Sequence, residues 1–182
     1  MVAIDLLNHK LDRAFDHIDA GGEGVIERED LLGLGARLLV GFGESPTSVT
    51  GSGLVDGFDG IWSTLSGALG RDADSRISRE EFRSGMTGAF VEGDQYDTVF
   101  RPATVAVADL CDDDGDGLIG PREFRTLLSA FGTAYDDVDE AFDRLDRASR
   151  GALTVDELIV AAWQYYVSDD PSAAGNWLFG PL

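Results

Sequence analysis

Apolar residues recur every three or four positions near the start of the chain, which is the spacing of one face of an α-helix. The members of this stripe are Ile4, Leu7, Leu11, Phe15 and Ile18. His9 and His17 fall away from the stripe when successive residues are placed about 100° apart around the helix. The pattern therefore predicts a first helix with one buried face and with both histidines in solvent.

Further helices are predicted where the same spacing returns. They span roughly residues 29–41, 53–69, 79–92, 98–111, 121–131, 136–145 and 155–167. Pro102 is expected to cap or kink the helix at 98–111. Residues 42–53 are rich in Gly, Ser and Pro and are predicted to form a flexible loop. The fold class predicted from this pattern is all-α.

A twelve-residue acidic segment, 112–123, lies between two of the predicted helices and has the sequence DDDGDGLIGPRE. Its acidic positions alternate, and Gly117 stands at position 6, where a calcium loop turns sharply. Ca²⁺ prefers six to eight oxygen ligands, which carboxylates and a backbone carbonyl can supply. The predicted metal ligands are the carboxylates of Asp112, Asp114, Asp116 and Glu123 and the backbone carbonyl of Leu118. This segment resembles the calcium loop of EF-hand proteins.

The same twelve-residue template recurs three more times, at 19–30, 70–81 and 146–157. We call the four segments loops one to four in chain order. An aliphatic residue stands at position 8 of each loop, and in paired EF-hands this residue joins two loops through a short β-bridge. The four residues are Ile26, Ile77, Ile119 and Leu153. Four copies predict two pairs of helix-loop-helix units.

Loop one keeps part of the ligand set. Asp19, Glu23 and Glu27 occupy positions 1, 5 and 9, whereas Gly21 removes the ligand at position 3. Asp30, at position 12, is one methylene shorter than the usual Glu, so two-oxygen contact with a metal is in doubt. Two outcomes stay open at this point, weak binding with a preference for the smaller Mg²⁺, or no binding.

Loops two and four have lost more ligands. Loop two has Gly70 at position 1 and Ser75 in place of the turn glycine, so we do not expect it to bind metal. Loop four has Ala148 at position 3 and Arg150 at position 5. Because an arginine would oppose Ca²⁺, we hypothesise that Arg150 replaces the cation by pairing with a carboxylate of its own loop, that of Asp146 or Glu157.

The chain carries 34 acidic and 14 basic residues, a formal charge of −20. Phosphate binding needs a basic surface, so nucleic acid is excluded as an expected partner. Cys111 is the single cysteine; it is expected to be buried and inert, and no internal disulfide is available. The first residues lack the apolar core of a signal peptide, and no apolar run reaches the ~20 residues of a membrane helix. We therefore expect a cytoplasmic monomer.

The chain is predicted to form two halves, 1–93 with loops one and two, and 94–182 with loops three and four. Residues 168–182 follow the last predicted helix and contain Trp177, Leu178 and Phe179. A tail with this many large apolar side chains is expected to dock on the protein.

Several stretches resemble the sarcoplasmic calcium-binding proteins, and in particular the calerythrin-like members from bacteria. The stretches are FDHIDAGGEGVIEREDL, CDDDGDGLIGPREF, AFDRLDRASRGALTVDEL and YYVSDDPSAAGNWLFG. The resemblance implies a compact globule of four EF-hand units in two facing pairs, closed by the tail. Members of that family usually keep about three competent loops, and this chain departs from that pattern in loops one and four.

These observations predict a calcium-binding protein with one intact site that acts as a buffer or signal modulator. We do not expect an enzyme, and no catalytic residue is assigned. The alternative is a hydrophobic small-molecule-binding protein, or an unusual enzyme, in which Ca²⁺ is a structural or gating ion. A closed cavity of several hundred Å³ would favour this alternative. A third reading is a scaffold for protein partners with an incidental ion.

Overall fold

Eight α-helices and four two-residue strands make up most of the chain in the computed structural model, which describes the backbone of residues 3–182 and the side chains from residue 6 onward. The helices are α1 (Ala3–Ile18), α2 (Arg28–Phe42), α3 (Val49–Ala68), α4 (Arg79–Met86), α5 (Arg101–Cys111), α6 (Pro121–Ala130), α7 (Tyr135–Leu145) and α8 (Val155–Tyr166). The strands are β1 (Val25–Ile26), β2 (Ile77–Ser78), β3 (Leu118–Ile119) and β4 (Leu153–Thr154). The all-α prediction is confirmed. Within residues 3–182 no helix is both long and apolar enough to cross a membrane.

The short strands join the loops in two pairs, as predicted. β1 pairs antiparallel with β2, placing Ile26 opposite Ile77, and β3 pairs with β4, placing Ile119 opposite Leu153. All four position-8 side chains are buried. Each pair of loops is thus held together by backbone hydrogen bonds and by an apolar contact beneath them.

The two pairs share one apolar core. Helix α3 packs against α5, α2 packs against α6, and α1 packs against α8 as well as against α4. Leu7, Leu11, Phe15 and Ile18 of the predicted α1 stripe are buried; the side chain of Ile4 lies outside the described residues. The division at residue 93 remains a prediction, because the core is continuous between the halves.

The tail is docked, as expected. After α8 it forms a short 3₁₀ turn, Ala174–Trp177, and then buries Leu178 and Phe179. The Arg13 guanidinium on α1 donates to the backbone carbonyls of Phe179 and Pro181. The tail is therefore fixed to α1 by polar contacts at its end and to the core by its apolar side chains.

Lys10, the single lysine of the chain, forms a second attachment between α1 and the tail. Its side chain is fully buried. The ammonium group donates to the carbonyls of Gln164 and Ser168 at 2.9 and 2.5 Å and to Asn176 Oδ1 at 3.0 Å. A buried charge needs such partners, because leaving it unpaired would cost several kcal/mol.

The predicted loop at 42–53 is shorter than expected, because α3 begins at Val49. Ser48 caps α3 by accepting a hydrogen bond from the Gly51 amide at 2.9 Å. A side chain at Gly51 would collide with the Ser45 carbonyl, so glycine is required there by close packing and not by flexibility. Tertiary packing of Leu54 and Phe58 outweighs the low helix propensity of this segment.

The helices predicted at 79–92 and 98–111 also differ in detail. Each includes one turn of wider π-helical backbone, Thr87–Val91 after α4 and Tyr96–Phe100 before α5. Pro102 lies in the first turn of α5, where its missing amide hydrogen costs nothing. Pro102 was expected to cap or kink the helix at 98–111, and it stands where the π-helical turn gives way to α5.

The expectation for His17 was wrong. Its ring is buried between Phe131 and Phe179, at centroid distances of 5.5 and 4.6 Å, and its Nδ1 is buried without a partner among the described residues. His9 is exposed, as predicted. The periodicity of α1 identified the face that packs on the neighbouring helices, but the returning tail covers a second face that the periodicity does not report.

Candidate metal centre

Loop three brings three carboxylates together. Asp112, Asp114 and Asp116 each offer an oxygen, and these oxygens lie within 4.8 Å of one another. No other group of three such side chains lies this close among the residues that the structure describes. The three predicted carboxylate ligands at positions 1, 3 and 5 therefore share one side of the loop.

Backbone amides of the loop donate hydrogen bonds to these carboxylates. Asp112 Oδ2 accepts from the Gly117 amide at 3.0 Å, and Asp114 Oδ1 accepts from the Asp116 amide at 3.2 Å. Asp116 Oδ1 in turn accepts from the Leu118 amide at 2.8 Å. Gly117 has φ of +81°, a conformation that side chains other than glycine strongly disfavour. These hydrogen bonds and the conformation of Gly117 define the turn of the loop.

Asp112 keeps one oxygen free of the protein. Its Oδ1 is buried and has no hydrogen-bond partner in the described part of the chain. A buried carboxylate oxygen without a partner costs free energy unless a cation satisfies it. This orphaned oxygen, together with the hard oxygen donors beside it, fits Ca²⁺.

Glu123 stands at the start of α6 with both oxygens in use. Its Oε2 accepts from the Gly120 amide at 2.6 Å, and its Oε1 accepts from the Asp113 amide at 3.3 Å across the loop. Burial raises the pKa of Glu123, although these two amides oppose the shift; the negative charges of Asp113 and Asp114 raise it further. The side chain lies beside an uncompensated negative cluster, which favours a cation there.

Cys111 precedes the loop and is fully buried, as predicted. Burial, with a contribution from Glu123, raises the pKa of its thiol far above the usual range. A thiol of this kind stays protonated near neutral pH and is neither a reactive nucleophile nor a metal ligand.

Loop four shares with loop three the hydrogen bond between its first aspartate and its turn glycine, but its other side chains differ in charge. Asp146 accepts from the Arg150 and Gly151 amides at 3.0 and 2.7 Å, just as Asp112 accepts from Gly117. The Arg150 guanidinium contacts the Glu157 carboxylate. The pKa of Glu157 is lowered, first by the Thr154 amide and then by Arg150. The hypothesis that Arg150 pairs with a carboxylate of its own loop is confirmed for Glu157.

Loop two also holds an arginine on its last carboxylate. The Arg71 guanidinium contacts Glu81, and Ser78 donates to the same carboxylate from its amide and its hydroxyl at 2.9 and 2.8 Å. Ser78 and then Arg71 lower the pKa of Glu81 to about 2. Glu81 is therefore fully engaged by protein donors.

Loop one is neutralised from the neighbouring loop. Arg76, which belongs to loop two, lies 3.1 Å from Glu23 and 2.8 Å from Glu27. Asp30 accepts from the Glu27 amide at 2.8 Å, which caps α2. The contacts of Arg71 and Arg76 with these carboxylates were not predicted from the sequence. The signal available was an arginine at position 2 or 7 of a ligand-poor loop whose partner loop is acidic.

An apolar cavity of about 100 Å³ lies between the two halves. Its lining includes Trp62 and Phe82 from the first half, Leu127 and Tyr166 from the second, and Phe179 from the tail. Pockets for drug-sized molecules hold about 300–1,000 Å³. The cavity is thus well below the several hundred Å³ that would favour a hydrophobic ligand of that size.

The chain is similar to calerythrin and to a calcium-binding protein of known structure. No protein-family model matches the sequence. Calerythrin of Saccharopolyspora erythraea is 27% identical over 163 residues, which cover 88% of this chain and 92% of calerythrin. A calcium-binding protein of Streptomyces coelicolor, whose structure is described as a basis for prokaryotic calcium-mediated regulation, is 30% identical with a TM-score of 0.73, covering 88% of this chain and 97% of that protein.

A third relative shares the fold alone. The coelenterazine-binding protein of Renilla muelleri, in its calcium-loaded apo form, is 23% identical with a TM-score of 0.66. The match covers 97% of this chain and 96% of that protein.

Proposed function

We propose that this chain, which belongs to the calerythrin-like family of EF-hand calcium-binding proteins, binds one Ca²⁺ ion through loop three. The ligands would be the carboxylates of Asp112, Asp114, Asp116 and Glu123 and the backbone carbonyl of Leu118. The observation that carries the proposal is the cluster of three carboxylates in which the buried Asp112 Oδ1 has no protein partner among the described residues. Bound Ca²⁺ would neutralise that cluster.

The restriction to one strong site is supported by the arginines of the other loops. Arg71, Arg76 and Arg150 each contact carboxylates that a metal would need. A divalent cation would have to displace a guanidinium that already provides charge and hydrogen bonds. Loop one is the candidate for a weaker second event, and its short Asp30 suits the smaller Mg²⁺.

A single site favours a role as a calcium-dependent signal modulator over a role as a bulk buffer. One ion per chain of 182 residues removes little calcium, whereas one strong site is enough to bias a conformational or partner-binding equilibrium. The regulatory description of the Streptomyces coelicolor relative points the same way. The alternative of a hydrophobic ligand carrier receives no support from a cavity of about 100 Å³.

Calorimetric titration of the metal-stripped protein tests the proposal. We expect one strong Ca²⁺ event per chain, and with Mg²⁺ at most one weaker event. Two or more Ca²⁺ events of equal strength would contradict the single-site assignment. The absence of any saturable Ca²⁺ event would refute the proposed function itself.

A further inference from the structure

An open cleft of about 660 Å³ lies between α2 and α6, the helices that leave loops one and three. We call it the α2–α6 groove. Its lining includes Arg37, Val40, Gly41, Arg122, Arg125 and Thr126. A Cβ at Gly41 would lie 3.2 Å from Thr126 Cγ2, so the two helices approach closely at this point. Helix packing, and not a flexible loop, sets the shape of the groove.

Three arginines line this groove in a chain whose net charge is −20. Arg122 is exposed and has no carboxylate partner among the ion pairs of the described residues. Arg37 donates to the backbone carbonyls of Ala130 and His17 at 2.9 and 2.7 Å, so its charge is not balanced by an anion there. Positive charge is therefore concentrated in this groove, although the chain as a whole is acidic.

Arg125 retains unused donor capacity. One of its terminal nitrogens pairs with Asp139 at 2.9 Å and its guanidinium lies 5.1 Å from the centre of the Tyr135 ring, while its other terminal nitrogen has no hydrogen-bond partner among the described residues. A guanidinium has five N–H donors in a planar fork that matches a carboxylate. Arg122 and Arg125 are three residues apart on α6 and can present their donors along one helix face.

The groove also contains an exposed aliphatic side chain. Val40 is 81% exposed, and the small residues Ala36 and Ala130 also line the groove. An apolar strip bordered by arginines is typical of a protein-binding surface, since arginine is enriched in interfaces and lysine is depleted. A small anion would use the arginines and leave Val40 in water.

We infer that the α2–α6 groove binds an acidic peptide segment of a protein partner. Carboxylates of the segment would pair with Arg122 and Arg125, and an aliphatic side chain of the segment would cover Val40. Charge complementarity selects this occupant, because the groove gathers three of the 14 basic residues of the chain and its lining contains no acidic residue. Arg122 is position 11 of loop three and precedes the proposed ligand Glu123, so the metal state is held constant in the test.

Fluorescence anisotropy with a short labelled peptide of Glu and Asp around one central leucine tests the inference. The intact protein is used at saturating Ca²⁺. We expect saturable binding that weakens about tenfold in Arg122→Gln/Arg125→Gln, equivalent to about 1.4 kcal/mol, since the variant removes two positive charges and the hydrogen bonds that they would donate to the peptide carboxylates. Arg122→Gln alone, which removes no described ion pair, should weaken binding several-fold.

The matched control is Arg101→Gln/Arg147→Gln, which removes the same charge. Both arginines are exposed, lie outside the groove and have no ion-pair partner among the described residues. It should leave the affinity for the peptide within about twofold. Val40→Ser should weaken the leucine peptide and leave a leucine-free acidic peptide unchanged.

Four outcomes would overturn the inference. The first is that the peptide shows no saturable binding, and the second is that the groove variant and its control lose the same affinity for the peptide. The third is that inorganic pyrophosphate binds as tightly as the peptide with the same dependence on the arginines. The fourth is that the protein self-associates and that Arg122→Gln abolishes the self-association. The last two would assign the groove to a small anion or to a second copy of the chain. A Ca²⁺ titration of each variant shows separately whether loop three still binds.

Discussion

Loops three and four are partners with nearly the same backbone and opposite chemistry. Asp112 and Asp146 each accept a hydrogen bond from the amide of the turn glycine of their own loop. The β3–β4 pair joins the two loops. Loop three then presents a cluster of carboxylates with one orphaned oxygen, whereas loop four presents Arg150 on Glu157. The two loops therefore differ in the charge of the side chains at positions 3 and 5, which are Asp114 and Asp116 in loop three and Ala148 and Arg150 in loop four.

The difference shows how a pair of loops can keep its structure while losing one ion. Arg150, at position 5 of loop four, supplies a covalently attached positive charge where another loop would use a bound Ca²⁺ ion. Loop four should then support β3 and β4 with or without Ca²⁺, and loop three alone should respond to the ion. The following experiments test this contrast, from the largest expected effect to the smallest.

Removing the first aspartate of each loop should separate them most clearly. We expect Asp112→Ala to weaken Ca²⁺ binding by about 100-fold or more, equivalent to about 2.7 kcal/mol or more, because it deletes the orphaned ligand oxygen. Asp146→Ala removes the matching residue of loop four and should leave the Ca²⁺ affinity nearly unchanged. Calorimetry measures both, and an equal loss in the two variants would show that loop four also binds.

Acid should produce a stability change that neither loop controls. Burial, and after it the charge of Arg13, lowers the pKa of His17 to about 4 from 6.5, with Asp16 opposing and Arg37 adding to the shift. His17 therefore takes up a proton below about pH 6.5 in the unfolded chain, but only below about pH 4 in the folded chain. Stability should fall as pH falls through this window, by up to about 3 kcal/mol.

Urea unfolding of the metal-free protein at neutral and at mildly acidic pH measures this loss. His17→Phe should lose less stability on acidification than the control His9→Phe, in which an exposed histidine is replaced. The same acid sensitivity in both variants would contradict the assignment to His17. Asp112→Ala should show the full loss, because His17 contacts neither loop three nor loop four.

Calcium should stabilise the protein through loop three alone. An ion that binds only the folded state contributes about 2.7 kcal/mol at a concentration of 100 times its Kd. For a chain of this size this corresponds to a rise in Tm of about 5–10 °C. Scanning calorimetry should show the rise in Asp146→Ala and not in Asp112→Ala, and an unchanged Tm in the parent protein would contradict the proposed site.

Replacing Arg150 should have the smallest effect. The Arg150–Glu157 pair is nearly half exposed, so Arg150→Gln should lower the metal-free stability by only about 0.2–1 kcal/mol. Arg150→Asp restores a carboxylate at position 5 and should add a weak second Ca²⁺ event. The exposed Arg147→Gln serves as the control, and unchanged stability and stoichiometry in both Arg150 variants would refute the role of Arg150.

Much of the fold could be predicted from local patterns. The helices follow from the three-to-four spacing of apolar residues, and the loop pairing follows from the aliphatic residue at position 8. The prediction of a loop over residues 42–53 was partly wrong. Composition indicates only the local preference for a loop, whereas the close approach of Gly51 to Ser45 depends on how the chain packs. The prediction for His17 was wrong for a similar reason, because the side chain that covers it, Phe179, lies more than a hundred residues away in sequence.

By itself, the sequence determined which residues can bind a hard cation, because oxygen donors at fixed spacing within twelve residues are a local property. Loop three and the departures of loops one, two and four follow from it, as does the pairing of Arg150 within its own loop. Only the tertiary structure decided where the remaining charges are placed. It set Arg76 of loop two on Glu23 and Glu27 of loop one, buried Lys10 beneath the tail, and gathered arginines in the α2–α6 groove. Long charged side chains act across the contacts that folding creates, and the spacing of residues along the chain does not encode those contacts.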